Sequence, residues 1–429
     1  GGLTLHILPR VFDSPCKDDG FDIRNEFRLN SYLARRSDLK QLSENFALAL
    51  DFVFNHTSVD SPWFKAFMEG DPAFKDFYIS FTVNSAENMQ QLEDARKSPL
   101  HRPRTDDPFV AVSDDKYVYM TFSRYQPDLN YANYKVFVKM TEVMLYLVLL
   151  GADTLRFDAA PYLWKEWGTT CVHHPKTHAL IELFGTIKDA VAPSVNIPVE
   201  SNEPAQESKQ YLSTPNKKEA DAVYSFASSL LSVYSVINGN AARFIKALDN
   251  FGTDNAYTTT INSCGNTFDG TSVNAANGFL TPDEIMAVVN RYNSIGAEEI
   301  AKLPVEFSLL EFINYKNSPG TERRIPQDVY ELVSTYATLF EGDAGRIVAA
   351  LAMPLALKGV PLLYLPEMLG ALNDYELFKK TGRIRSLNRH IFGFDEIEQA
   401  LSDKNSLTHK VFYRMLGLLE VRTTHKAFH

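Results

Sequence analysis

Gly151-Ala-Asp-Thr-Leu-Arg156-Phe-Asp158-Ala-Ala160 is the stretch on which the reading of this chain turns. Thr154 to Phe157 is a short run with the length of a buried strand. Arg156 and Asp158 stand two residues apart, so on a strand both side chains leave on the same side. A guanidinium beside a carboxylate keeps it ionised at neutral pH, which is what a nucleophilic carboxylate needs. Taken alone, an Arg-x-Asp pair is more often a structural ion pair, so the surroundings have to decide.

Working outward, further runs read as strands: Leu3 to Leu8, Ala47 to Phe54, Asn196 to Glu200, Ala222 to Phe226, Tyr257 to Ile261 and Val360 to Tyr364. Amphipathic helical stretches lie between several of them, at Val136 to Leu150, His178 to Ala190 and Ala241 to Leu248. Alternating strands and helices are the signature of βαβ units and a parallel sheet. With Arg156 and Asp158 at the end of one strand, the pattern favours an α/β fold of the (β/α)8 TIM barrel type over an open sheet. Two long loops interrupt it, residues 57–130 and residues 264–324, the second with its own helix from Pro282 to Tyr292. Loops of that length in a compact domain are usually lids or binding loops. Residues 1–429 read as one catalytic barrel carrying both, closed by a helix from Ser406 to Arg422.

Three more motifs fall at strand ends or just after them: Asp51-Phe-Val-Phe-Asn55-His56, Pro198-Val-Glu200-Ser-Asn202 and Phe268-Asp269-Gly270. Barrel enzymes place their reacting groups there. Asp158, Glu200 and Asp269 thus supply three carboxylates. Exchange at a glycosidic bond needs two, one to attack the anomeric carbon and one to protonate the leaving oxygen. For retention of configuration these stand about 5–5.5 Å apart. Glu200 has to be protonated when it acts, which burial and neighbouring negative charge favour. Singly, a strand-end Glu is commonly solvated and an Asp-Gly is usually a turn; their joint occurrence in this order reverses those odds.

The formal charge of −10 argues against a nucleic-acid or membrane-surface binder. Cys16, Cys171 and Cys264 are widely spaced, without metal-ligand spacing, and fit a reducing, cytoplasmic setting. Ile347 to Tyr364 is apolar, but Pro354, Lys358, Gly359 and Pro361 make it a buried helix and strand rather than a membrane span. No Walker or Rossmann glycine motif appears, and no metal or organic cofactor is implied.

These four motifs, in this order, resemble the signature regions of the α-amylase superfamily of glycoside hydrolases (family 13). Ser14 to Ile23, Tyr119 to Tyr131, Tyr162 to His178 and Thr381 to Arg389 narrow the resemblance to the subfamily of sucrose and glucosylglycerate phosphorylases. The resemblance implies Asp158 as nucleophile, Glu200 as general acid/base and Asp269 as stabiliser of the transition state. It places Arg156 beside Asp158, Asp18 and Arg389 on glucosyl hydroxyls and His56 on the primary hydroxyl. Phe21 and Phe122 become apolar platforms, where core packing is their plainer explanation, with Gln126 and Tyr162 nearby. The implied reaction is reversible transfer of a glucosyl group from a small α-glucoside to phosphate through a covalent glucosyl-enzyme. Arg102, Arg104, Arg383 and Arg385 are candidates to hold phosphate or a carboxylated aglycone, because guanidinium forks match their oxygens. A solvated loop position is as good an explanation for each.

The chain departs from the family pattern at several points. Phe268 stands where a His normally precedes the third carboxylate, Ala205 replaces another His, Glu203 adds charge nearby, and Ala227-Ser-Ser-Leu replaces a proline-rich turn. A lost transition-state donor costs ~2.7–4 kcal/mol. The resemblance begins at the family's second barrel strand and stops before its small C-terminal β-domain, so a barrel without its first strand and without that domain is expected. A hydrolase or transglucosidase of the same chemistry, or a sugar-binding homologue without turnover, remain the alternatives. The expected partners are a small α-glucoside and inorganic phosphate, with no nucleic acid and no membrane; the oligomeric state is not readable.

Overall fold

The computed structural model describes residues 2–101, 103, 107–253, 255, 257–301, 313–315 and 329–428. The chain divides into two compact units. Unit 1 comprises Gly1–Ser201 and Tyr211–Val223, and unit 2 comprises Asn202–Gln210 and Tyr224–His429.

Unit 1 is built on parallel strands. β1 (Thr4–Ile7) opens the chain, followed by a short antiparallel pair, β2 (Phe12–Asp13) and β3 (Asn25–Leu29). β4 (Ala47–Val53) lies parallel between β1 and the later β8. Residues 57–130 carry helices Pro62–Glu69 and Ala86–Arg96 and an antiparallel sheet of β5 (Ser80–Thr82), β6 (Phe109–Ser113) and β7 (Lys116–Tyr119), with β7 in the middle. Helix Tyr134–Leu149 then leads to β8 (Thr154–Asp158), and helix Pro175–Val191 to β9 (Pro198–Val199). β9 pairs with β8 on one side and with Ala222 and Val223 of β10 (Ala222–Ser225) on the other.

The pleat of these strands sorts chemistry from core. Asp51 is in register with Arg156 and Val53 with Asp158, so these four share one face. Phe52, Phe54 and Phe157 leave on the opposite face and are fully buried. There they meet Phe184 of helix Pro175–Val191 at centroid distances of 5.5, 5.7 and 6.0 Å. Helix Tyr134–Leu149 starts where the Asn133 side chain accepts the Lys135 N–H, and it buries Val136, Met140, Val143, Met144 and Leu147, a helical stripe. Burying each of these side chains contributes about 1.5–3 kcal/mol, so packing rather than propensity holds the helix in place.

In unit 2, β11 (Thr259–Ser263) runs parallel to β15 (Val360–Leu362). A small antiparallel sheet has the order β12 (Thr271–Ser272), β14 (Val329–Leu332), β13 (Ile313–Tyr315). Helix Pro282–Ala301 extends well beyond the expected Tyr292; after it, residues 302–312 and 316–324 of that second insertion lie outside the described residues. Helix Leu407–Thr424 packs Val411 and Met415 into a core with Leu230, Leu231, Ile347 and Leu351.

All seven strands expected from sequence are present, with ends shifted by a few residues. The clearest shift is Tyr257 to Ile261, which becomes Thr259–Ser263. Asn255 accepts the Tyr257 N–H at 2.9 Å and Thr253 donates to the Thr258 carbonyl at 2.6 Å, so a turn holds the first residues. Ile347 to Tyr364 divides into helix Ala344–Ala352 and β15. Among the described residues no helix is long and apolar enough to cross a membrane.

Candidate active site

In unit 1 the end of β8 sets the geometry. Arg156 Nη1 donates to Asp158 Oδ1 at 2.8 Å and also to Asp51 Oδ1, while its Nη2 lies 3.6 Å from Glu200 Oε1. One guanidinium therefore reaches three carboxylates on neighbouring strands. The Glu200 N–H donates to the Phe157 carbonyl at 3.0 Å, which continues the β8–β9 pairing and aims Glu200 at the same face. Ala159, in the left-handed conformation with φ 52°, turns its N–H onto Glu200 Oε2 at 2.8 Å. A non-glycine residue held there stores strain of about 1–3 kcal/mol, a cost characteristic of functional turns. Asp158 and Glu200 are each only 7% exposed.

Asp51 belongs to the same cluster although sequence reasoning gave it no role. Burial pushes its carboxyl up, but His6 and Arg156 more than offset this and hold it below the usual carboxylate range. His6 Nε2 sits 2.8 Å from Asp51 Oδ2.

A second group forms around His56. Its Nε2 lies 3.1 Å from the Phe21 carbonyl and 3.0 Å from Gln126 Nε2, and Gln126 Nε2 donates to Asp18 Oδ2 at 3.0 Å. Burial lowers the imidazole's pKa, a shift that Asp128 and Asp18 only partly counter, so His56 is neutral at pH 7. Phe122 packs against His56 at 5.5 Å and edge-on against Tyr162 at 5.2 Å. The Arg156 guanidinium lies 5.9 Å from the Phe21 ring centre.

The loop bearing Asp18 is fixed by a residue that motif reading passed over. Asp22 accepts the N–H groups of Lys17 and Asp18 at 2.9 and 3.0 Å and the Ser14 hydroxyl at 3.0 Å. Gly20 has φ 106°, and a Cβ there would run into the backbone of Arg10, so only glycine fits this turn. Lys165 is a second addition: its buried ammonium pairs with Asp128 Oδ2 at 2.9 Å and donates to the Tyr162 carbonyl. The signal for both lay inside the quoted segments, as charged residues among buried ones.

In unit 2, Asp269 occupies a tight turn between Thr267 and Gly270. Arg389 Nη2 donates to Asp269 Oδ1 at 3.1 Å and its Nε to the Phe268 carbonyl at 2.6 Å, with the guanidinium 5.6 Å from the Phe268 ring centre. Arg385 Nη1 also contacts Asp269, at 2.6 Å, while its Nε and Nη2 grip Glu331 at 2.7 Å each. Arg385 is thus held by two carboxylates, and a phosphate or carboxylate would have to compete with them. Glu203 accepts from Asn274 at 2.7 Å. Arg102 and Arg104 lie outside the described residues.

Residues 2–274 match the alpha amylase catalytic domain. The chain is 33% identical over 434 residues to the glucosylglycerate phosphorylase of Spirochaeta thermophila, covering 99% of this chain and 68% of that protein. It is 31% identical over 432 residues to the glucosylglycerate phosphorylase of Escherichia coli K12, covering 99% of this chain and 72% of that one. In structure it is similar to sucrose 6F-phosphate phosphorylase from Thermoanaerobacter thermosaccharolyticum. That match has a TM-score of 0.79 at 24% identity and covers all of this chain and 82% of the other. The parallel strands and their connecting helices are accordingly those of the barrel fold class expected from the sequence, and the chain belongs to the alpha-amylase family.

Proposed function

We propose that this protein transfers the glucosyl group of a small α-glucoside to orthophosphate with retention of configuration, and that a glucosylglycerate-type donor is preferred to sucrose. The observation that carries the reading is Arg156 reaching both Asp158 and Glu200, with the Ala159 N–H fixing the latter. Relatives that are glucosylglycerate phosphorylases match at 31–33% identity and sucrose phosphorylases at 24%, which supports the donor preference.

In the first step Asp158 attacks the anomeric carbon, and Glu200 gives its proton to the departing aglycone oxygen. A glucosyl ester on Asp158 and an ionised Glu200 result. In the second step Glu200 takes a proton from the incoming phosphate, whose oxygen displaces Asp158 and yields α-glucose 1-phosphate. Asp269 is assigned the oxocarbenium-like charge. Asp18, Arg389 and His56 are assigned sugar hydroxyls; a neutral His56 can serve as donor or acceptor. Phe21, Phe122, Gln126 and Tyr162 line the glucosyl ring in this reading. Arg102, Arg104 and Arg385 are assigned the anionic acceptor or aglycone. The two loops, residues 57–130 and 264–324, are assigned the walls of the site, and the cytoplasm is the proposed compartment.

Release of glucose 1-phosphate from glucosylglycerate and from sucrose, with and without phosphate, tests this reading. Phosphate-dependent release, faster from glucosylglycerate, is expected; free glucose alone would refute it.

A further inference from the structure

Asp51 is 1% exposed and divides its two oxygens between two partners: Oδ1 takes Arg156, and Oδ2 takes His6 Nε2 at 2.8 Å. His6 comes from β1 and Arg156 from β8, the two strands that flank β4 in the sheet. An arginine and a carboxylate left to themselves favour a two-pronged fork, both nitrogens on both oxygens. That fork would draw the Arg156 Nη2 toward Asp51 and away from Glu200. With His6 occupying Oδ2, Asp51 meets the guanidinium through one oxygen, and Arg156 extends Nη1 to Asp158 and Nη2 toward Glu200.

We propose that His6 is a positioning residue for glucosyl transfer, acting through Asp51 and Arg156 to set the places of Asp158 and Glu200. Because Asp51 accepts, the His6 proton sits on Nε2. Without that donor, Asp51 Oδ2 is a buried oxygen lacking a partner, a costly state. The carboxylate relieves it by rotating onto Arg156, and the guanidinium follows. A displacement of even 1 Å at reacting groups costs on the order of a hundredfold in rate. The inference rests on the glucosyl-transfer reading above and extends it to a residue outside the quoted motifs.

The test compares the parent chain with His6→Leu, which removes the donor, and His6→Gln, which returns an N–H at similar reach. Each is assayed on α-glucosyl fluoride and on glucosylglycerate with phosphate, per molecule folded by circular dichroism. His6→Leu should lower kcat roughly tenfold or more on both donors while KM moves less than twofold. His6→Gln should recover most of the loss, which a mere packing role for the ring would not produce. If His6→Leu does not fold, His6→Asn, too short to reach Asp51, takes its place beside His6→Gln. A folded His6→Leu or His6→Asn with parental kcat, or a His6→Gln as impaired as either, overturns the inference alone. A folded parent without turnover of glucosyl fluoride overturns the glucosyl-transfer reading and this inference with it.

Discussion

The Ala159 N–H donates to Glu200 Oε2 at 2.8 Å, so the residue immediately after Asp158 fixes the carboxyl group on the next strand. Ala159 itself is in the left-handed conformation, φ 52°, so the chain turns away from β8 immediately after this bond. Asp158 and Glu200, the proposed nucleophile and acid/base, are therefore coupled through one peptide unit as well as through Arg156.

That coupling separates the two roles experimentally. Asp158→Asn should abolish turnover on every donor, with the circular dichroism spectrum unchanged. Glu200→Gln should lose glucosylglycerate turnover by about a hundredfold or more, yet keep a burst of fluoride release from α-glucosyl fluoride, whose leaving group needs no proton. An Asp158→Asn variant with parental rate would remove Asp158 from the chemistry.

Arg156 is buried among Asp51, Asp158 and Glu200. Arg156→Met leaves their charges uncompensated in a dry setting, and breaking such a pair costs about 3–5 kcal/mol. Urea unfolding should show an unfolding free energy lower by an amount in that range, with an earlier midpoint. Asp51→Asn should be milder, since an amide at that place can still meet His6 and Arg156.

Much of this was legible from the sequence where the information is local. The strand at Thr154 and the side shared by Arg156 and Asp158 follow from a period of two, and the apolar stripe of helix Tyr134–Leu149 from a period of 3.6. The partners that complete the clusters were not legible. His6 reaches Asp51 across 45 positions and Arg385 reaches Glu331 across 54, and no periodicity links residues that far apart. Lys165 and Asp22 sat within quoted segments and were given no role, because their partners, Asp128 for Lys165 and the Ser14 to Asp18 loop for Asp22, are set by the fold. Likewise the contacts of Arg385 with Glu331 and Asp269, which an anion bound there would have to compete with, are not readable from its segment.

A buried acid in unit 2 gives a pH signature. Burial pushes Glu367 up to about 8, against the opposing hydrogen bonds from Asn266 and the Tyr336 N–H. Between the ordinary glutamate value of about 4.3 and that value, the folded chain keeps a proton that the unfolded chain releases. Stability then falls as pH rises, by roughly 1.4 kcal/mol per pH unit from this group alone. Glu367→Gln keeps the acceptor and removes the titration. Its unfolding free energy should decline less between pH 5 and pH 8 than the parent's, and parallel curves would contradict this account.

The central claim is tested most directly by incubating the protein with glucosylglycerate and following glucose 1-phosphate and free glucose as phosphate is raised from zero. The account predicts glucose 1-phosphate in proportion to phosphate until saturation, with little free glucose. Free glucose at a phosphate-independent rate, with no glucose 1-phosphate formed, would contradict it.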